Sequence, residues 1–229
     1  MRVFGLMSDE RSEKIRCHVC EAESEHGVAR RAAEEGAPDL DTRPPETLRS
    51  TMPAWVQRCP SCGYCAPDLA AGGPRGARVV RAAAYQALVA DTTRPPLANS
   101  FLASSTVLEG GAAFADAGWQ AVYAAWACDD AGDDIAATEC RLRAVELFAS
   151  ALLVRQEVAI DPGGADAVIA DLLRRAGRFV EAIARVEAIN DRPILKPTRR
   201  VLRYIAALAA RGDRGAHSAA EAPPLTRAS

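Results

Sequence analysis

The chain has 229 residues, 49% of them apolar and 25% charged, with a formal net charge of −2. That length suffices for one or two domains with a buried core, and the near-neutral balance excludes binding driven by strong bulk charge. Its seven cysteines fit a secreted disulfide protein poorly: Met1 to Arg16 has no apolar stretch of signal-peptide kind, and no run reaches the ~18 residues of a membrane span. A reducing, cytoplasmic compartment with no membrane partner is therefore expected.

In chain order the first feature is Cys17-His18-Val19-Cys20. Two residues between thiolates let a tight turn aim both sulfurs at one ion at about 2.3 Å. Ser24 to Thr51 follows as a polar excursion punctuated by Gly36, Pro38, Pro44 and Pro45, with one helical turn expected near Val28 to Glu34. Then comes Cys59-Pro60-Ser61-Cys62-Gly63-Tyr64, where Pro60 stiffens the turn and Gly63 permits a left-handed backbone. Together Cys17, Cys20, Cys59 and Cys62 supply one tetrahedral shell, and one zinc ion per chain is expected. Composition points the same way. From Ser8 to Pro74 there are nine large apolar residues, below the roughly one-fifth expected of a folded segment, so a metal contributing on the order of 10 kcal/mol would act as the staple.

Competing readings exist for several of these residues. Cys65 creates a Cys-x-x-Cys-x-x-Cys run, so an iron-sulfur cluster on Cys59, Cys62, Cys65 and a remote cysteine is an alternative to zinc. Thiol-disulfide exchange is a third reading, opposed by the lack of a strand-rich pattern with a pair opening a helix. His18 sits between two better ligands and, like His26, reads as solvated or adjacent to the site. Asp39, Asp41 and Glu46 are candidate acid-base or hard-metal carboxylates, but without a partner histidine ordinary loop polarity accounts for them.

After Gly72-Gly73-Pro74 the pattern turns helical. Val79, Val80, Ala83, Ala84, Ala87 and Leu88 share a face of one segment ending before Asp91. Arg75, Arg78 and Arg81 recur on it, either as a solvated face or as a phosphate-facing stripe. A second helix carries Phe101, Leu102, Ser105 and Leu108 and stops at Gly110-Gly111. A third bears Trp119, Val122, Tyr123 and Trp126. A fourth is expected from about Asp134 to Val158, with Ile135, Leu142, Val145, Leu152 and Leu153 as its apolar members. Cys128 on the third and Cys140 on the fourth read as small buried hydrophobes. Ile169, Ala170, Leu173, Gly177, Phe179, Ala182, Val186 and Ile189 fall where a tetratricopeptide-type helix pair places its packed faces and turn glycine. Val201, Leu202, Ile205 and Leu208 mark a last helix before a proline-containing tail.

Asp39-Leu40-Asp41, Trp55, the Cys59 to Tyr64 knuckle with Ala66, and Leu173-Arg174-Arg175-Ala176-Gly177-Arg178-Phe179 together resemble the bacterial family catalogued as domain of unknown function 2225. The resemblance implies a metal-binding N-terminal part, with Cys17, Cys20, Cys59 and Cys62 as ligands, joined to a helical repeat part, and it implies no established activity. The chain departs from the family in lacking a glycine after its first pair and in carrying Cys65 where alanine is usual.

The expected architecture is mostly α. A zinc-ribbon-like module spans 1–74, a tetratricopeptide-like helical domain 75–211 and a mobile tail 212–229. The expected function is a non-enzymatic protein-interaction module with a protein or peptide partner. The alternatives are a nucleic-acid-associated zinc ribbon using the three arginines, or a metal-dependent or redox enzyme using Cys65. No phosphate-binding glycine loop, nucleophile elbow or His-Glu-x-x-His pair is present.

Overall fold

The computed structural model describes residues 12–27 and 35–225; the helical turn expected over Val28 to Glu34 lies outside them. The described chain is mostly helical with a small cysteine-rich module near its start, as the pattern predicts. Two antiparallel hairpins come first: β1 (Ser12–Arg16) pairs with β2 (Glu23–Gly27), and β3 (Gln57–Arg58) pairs with β4 (Cys65–Ala66). Each carries one cysteine pair at its tip.

The remainder is α1 (Pro74–Val80), α2 (Ala83–Ala90), α3 (Pro96–Gly110), α4 (Phe114–Asp130), α5 (Asp134–Leu153), α6 (Gly164–Arg175), α7 (Phe179–Glu187) and α8 (Lys196–Ala210). The single helix expected through Val79 and Leu88 is in fact two. Val80 and Tyr85 are each 1% exposed, yet positions five apart lie about 140° apart around a continuous helix. An extended Ala82, at ψ 140°, breaks the helix so that both can bury.

The α5 reading is corrected in two ways. The helix ends at Leu153, and Ile135 and Leu153, expected on its apolar face, are 79% and 84% exposed. The buried face is instead Ala136, Ala137, Cys140, Ala144, Leu147, Phe148 and Ala151. Small side chains there and on α4 let the two helices approach closely. Gly118 of α4 marks the tightest place, since a Cβ there would lie 2.5 Å from the Phe148 ring.

One turn device recurs. The helices α4, α6 and α8 each end at a left-handed glycine, Gly132, Gly177 and Gly212. In each, the following amide closes back over the last turn: Asp133 N to Cys128 O at 2.9 Å, Arg178 N to Leu173 O at 2.8 Å and Asp213 N to Leu208 O at 3.1 Å. This 6→1 bond satisfies carbonyls that the helix end would otherwise leave orphaned.

The apolar core is continuous across the boundary expected near Gly72. Cys17, Met52, Val56 and Leu69 belong to the same buried cluster as Phe101, Trp126 and Phe148. A smaller cluster joins Leu40, from the polar excursion, to Ile189, Leu202, Ile205 and Leu208. The segment expected as a mobile tail makes specific contacts with the fold between Asp213 and Ala222. Arg174, fully buried, donates to the carbonyls of Asp213 at 2.7 Å and Gly215 at 2.9 Å, and Leu40 N donates to His217 O at 2.9 Å. A buried guanidinium needs acceptors, and main-chain carbonyls supply them where composition gives no hint.

Candidate metal centre

The two cysteine loops are closed by the same pair of backbone bonds. Cys17 N donates to Ala22 O at 2.9 Å and Glu21 N to Cys17 O at 2.8 Å; Cys59 N donates to Tyr64 O at 2.8 Å and Gly63 N to Cys59 O at 3.0 Å. The fifth residue of each loop is left-handed, with φ of 62° at Glu21 and 75° at Gly63. The missing glycine after the first pair therefore does not change the loop. It places a Cβ in a conformation that costs roughly 1–2 kcal/mol.

Helix α2 buttresses the second loop. Tyr85 Oη donates to Gly63 O at 3.0 Å and accepts from Cys65 N at 3.1 Å, and Gln86 Nε2 donates to Cys62 O at 3.1 Å. The first loop is tied by His18 N to Leu69 O at 2.8 Å. These contacts bring the Sγ atoms of Cys17, Cys20, Cys59 and Cys62 within 4.8 Å of one another. Cys17 and Cys62 Sγ are 3.7 Å apart, and Cys20 and Cys59 Sγ 3.5 Å. A tetrahedron with 2.3 Å metal-sulfur bonds has edges of about 3.8 Å, whereas a disulfide spans about 2.05 Å. The spacing suits one shared metal ion, and the seven cysteines are free thiols.

Burial drives the Cys17 and Cys62 thiols upward from their ordinary range. Burial acts on Cys59 as well, but the amides of Cys62 and Ser61 and the thiols of Cys20 and Cys62 outweigh it and bring it down to about 7.

Cys65 stands outside this set. Its Sγ donates to Gly63 O at 3.4 Å, and burial pushes it up to about 11. His18 is exposed and His26 pairs with Ser24 Oγ at 2.8 Å; neither joins the four sulfurs. Cys128 and Cys140 are buried on α4 and α5. Arg75, Arg78 and Arg81 are exposed and form no ion pair among the described residues.

Asp41 corrects the reading of loop polarity. It is 0% exposed, and its Oδ2 accepts from Trp126 Nε1 at 2.9 Å and from Arg175 Nη1 at 2.9 Å. Arg175 also reaches Asp129 at 2.8 Å, and Arg43 clasps Asp130 through 2.6 and 2.7 Å bonds. Asp39 pairs with Arg49 at 2.8 Å, with burial raising its carboxyl and Arg49 drawing it back. The Asp41 contacts and the Arg43–Asp130 pair anchor the excursion to α4 and α6, while the Asp39–Arg49 pair ties it internally. No local signal marks the Asp41–Arg175 pairing, since the two residues are 134 positions apart in the chain.

Among the described residues no helix is long and apolar enough to cross a membrane. Comparison of the chain with protein-family models, with curated proteins and with solved structures gives no match.

Proposed function

We propose that the chain is a non-enzymatic protein-interaction module. In this reading a structural zinc ion holds two zinc-ribbon-like knuckles against a tetratricopeptide-like helical array, and the array takes a protein or peptide partner. The observation that carries it is the closed set of four thiols in Cys17, Cys20, Cys59 and Cys62. Four sulfur ligands complete a tetrahedral ion and leave it no position for water or substrate, and an all-thiolate shell favours zinc over oxygen-seeking cations. The repeated glycine-ended helices at Gly132, Gly177 and Gly212 support the repeat reading, and the resemblance to the family of domain of unknown function 2225 forms part of it. Helical arrays of this kind bury their small faces against one another and present side-chain surface to partners.

Elemental analysis of the purified chain is expected to give about one zinc, lost in a Cys59→Ser, Cys62→Ser variant and kept in Cys65→Ala. Metal loss only in Cys65→Ala, or a visible absorption band, would replace zinc with an iron-sulfur reading. With the metal-loaded chain as bait, captured proteins should survive nuclease treatment. Tight DNA or RNA binding at physiological salt that disappears in Arg78→Glu, Arg81→Glu would instead make this a nucleic-acid-associated protein.

A further inference from the structure

All three tryptophans of the chain border one surface groove, Trp55 and Trp119 half-buried and Trp126 buried at 2% exposure. Trp119, Tyr123 and Trp126 come from one face of α4, Trp55 comes from just before the second cysteine loop, and Thr42 and Pro44 form the facing wall, around a cavity of about 350 Å³. The rings are fixed from behind. The indole N–H groups donate to Thr51 Oγ1 at 2.8 Å from Trp55, to Val158 O at 3.1 Å from Trp119 and to Asp41 Oδ2 at 2.9 Å from Trp126. Tyr123 lies at the centre, with ring centroids 5.3 Å from Trp55, 6.2 Å from Trp119 and 5.1 Å from Trp126.

Two groups around this strip are unspent. The Tyr123 hydroxyl has no hydrogen-bond partner among the described residues, and Asp116, two turns earlier on the same face of α4, pairs with no cation among them. Burial, and after it the negative charge of Asp116, holds the Tyr123 hydroxyl above its ordinary range, so it remains a neutral donor. Arg43, 6.0 Å from the Trp126 ring, is already neutralised by Asp130.

From this arrangement we infer that the groove binds a proline-rich peptide segment carrying a basic residue beside its prolines. The inference rests on the protein-interaction reading above and gives that partner a chemistry. Rigid aromatic faces with an unused hydroxyl donor suit a polyproline II chain, which has rings to stack, carbonyls to accept and little entropy to lose. Asp116 gives the basic residue a counter-charge at one end. An isolated quaternary ammonium suits the site less well, because it needs rings standing around a box, and here Tyr123 packs directly against Trp55, Phe101, Trp119 and Trp126.

The test is a fluorescence titration of the metal-loaded full chain, whose half-buried Trp55 and Trp119 report on the groove. The probes are a synthetic peptide with two prolines three positions apart and one arginine, the same peptide with alanine for both prolines, and tetramethylammonium chloride. Saturable binding of the proline peptide is expected, at least about tenfold weaker for the alanine version. Tyr123→Phe should weaken it about fivefold, and Asp116→Lys should weaken it at low salt with the difference fading at 0.5 M. Both substitutions leave the ring packing in place, and circular dichroism checks the fold. Equal binding of the two peptides, a response to tetramethylammonium alone, silence of all three probes, or indifference to both substitutions overturns the inference. Proteins still captured by a chain with a silent groove would leave the broader interaction reading standing.

Discussion

At the level of single residues the two cysteine loops differ where their backbones agree. Gly63 and Glu21 occupy equivalent left-handed positions, but a Cβ at Gly63 would sit 3.0 Å from Val89 Cγ1. Gly63→Ala should therefore lower stability by about 1–2 kcal/mol, the cost of a side chain in that conformation, with the Val89 contact adding to it. Glu21→Gly removes such a cost but gives the unfolded chain more freedom, worth about 0.5–1 kcal/mol. Its net effect should be under about 1 kcal/mol in either direction. Urea denaturation with metal present measures both. A loss at Glu21→Gly as large as at Gly63→Ala would mean that the exposed Arg16–Glu21 ion pair holds the first loop, contrary to the small worth of exposed pairs.

Among the elements, the first hairpin should depend most on a metal held by the four cysteines. Its residues are exposed or half-buried along both strands, so beyond Cys17 it contributes little to the core. The segment from Leu40 to Val56 has its own attachment through Leu40, Met52, Val56 and the Asp41–Arg175 pair. On chelation, amides of residues 12–27 should lose hydrogen-exchange protection, those near Asp41 should keep it, and far-ultraviolet helical signal should largely persist. Collapse of the helices together with the hairpin would show the metal to be the keystone of the whole core. The contrast also marks what the chain discloses in advance. The cysteine loops and helices α3, α4 and α6 to α8 are legible because their signals are local: ligand spacing, a 3.6-residue period and turn glycines. The break between α1 and α2 is not, since the burial of both Val80 and Tyr85 is decided by what packs over them. The α5 face misleads because its contacts are made by alanines, while its large side chains Ile135 and Leu153 point outward. Asp41 has no local signature at all, its partner Arg175 lying 134 residues away.

Across the whole molecule, distant parts of the chain complete one another. The aromatic groove needs Trp55 and Pro44 from before the second cysteine loop as well as Trp119 and Tyr123 from α4, so the cysteine-rich part and the helices build one surface. The same holds at the opposite end of the chain. Asp39 and Ser218 form a β-bridge, and Ala219 N donates to Pro38 O at 2.8 Å. Ser218 and Glu221 close a capping box over the short turn Ala219–Glu221, and Ala222 is buried. Beneath them Arg174 is 0% exposed, with Asp171 as its carboxylate partner and the carbonyls of Asp213 and Gly215 as its other acceptors. Ending the chain after Gly212 would strip those two acceptors from a buried cation and the His217 carbonyl from Leu40 N. Each orphaned buried group costs about 1–3 kcal/mol, and more where charge is involved. The truncated protein should thus lose at least about 3 kcal/mol in urea denaturation and expose Leu40 to faster amide exchange. A chain ending after Ala222 keeps every one of these contacts and should match the full-length protein. Equal denaturation midpoints for the chains ending at Gly212 and Ala222 would mean that water replaces the carbonyls at Arg174 without loss, and that the closing segment adds nothing to the fold.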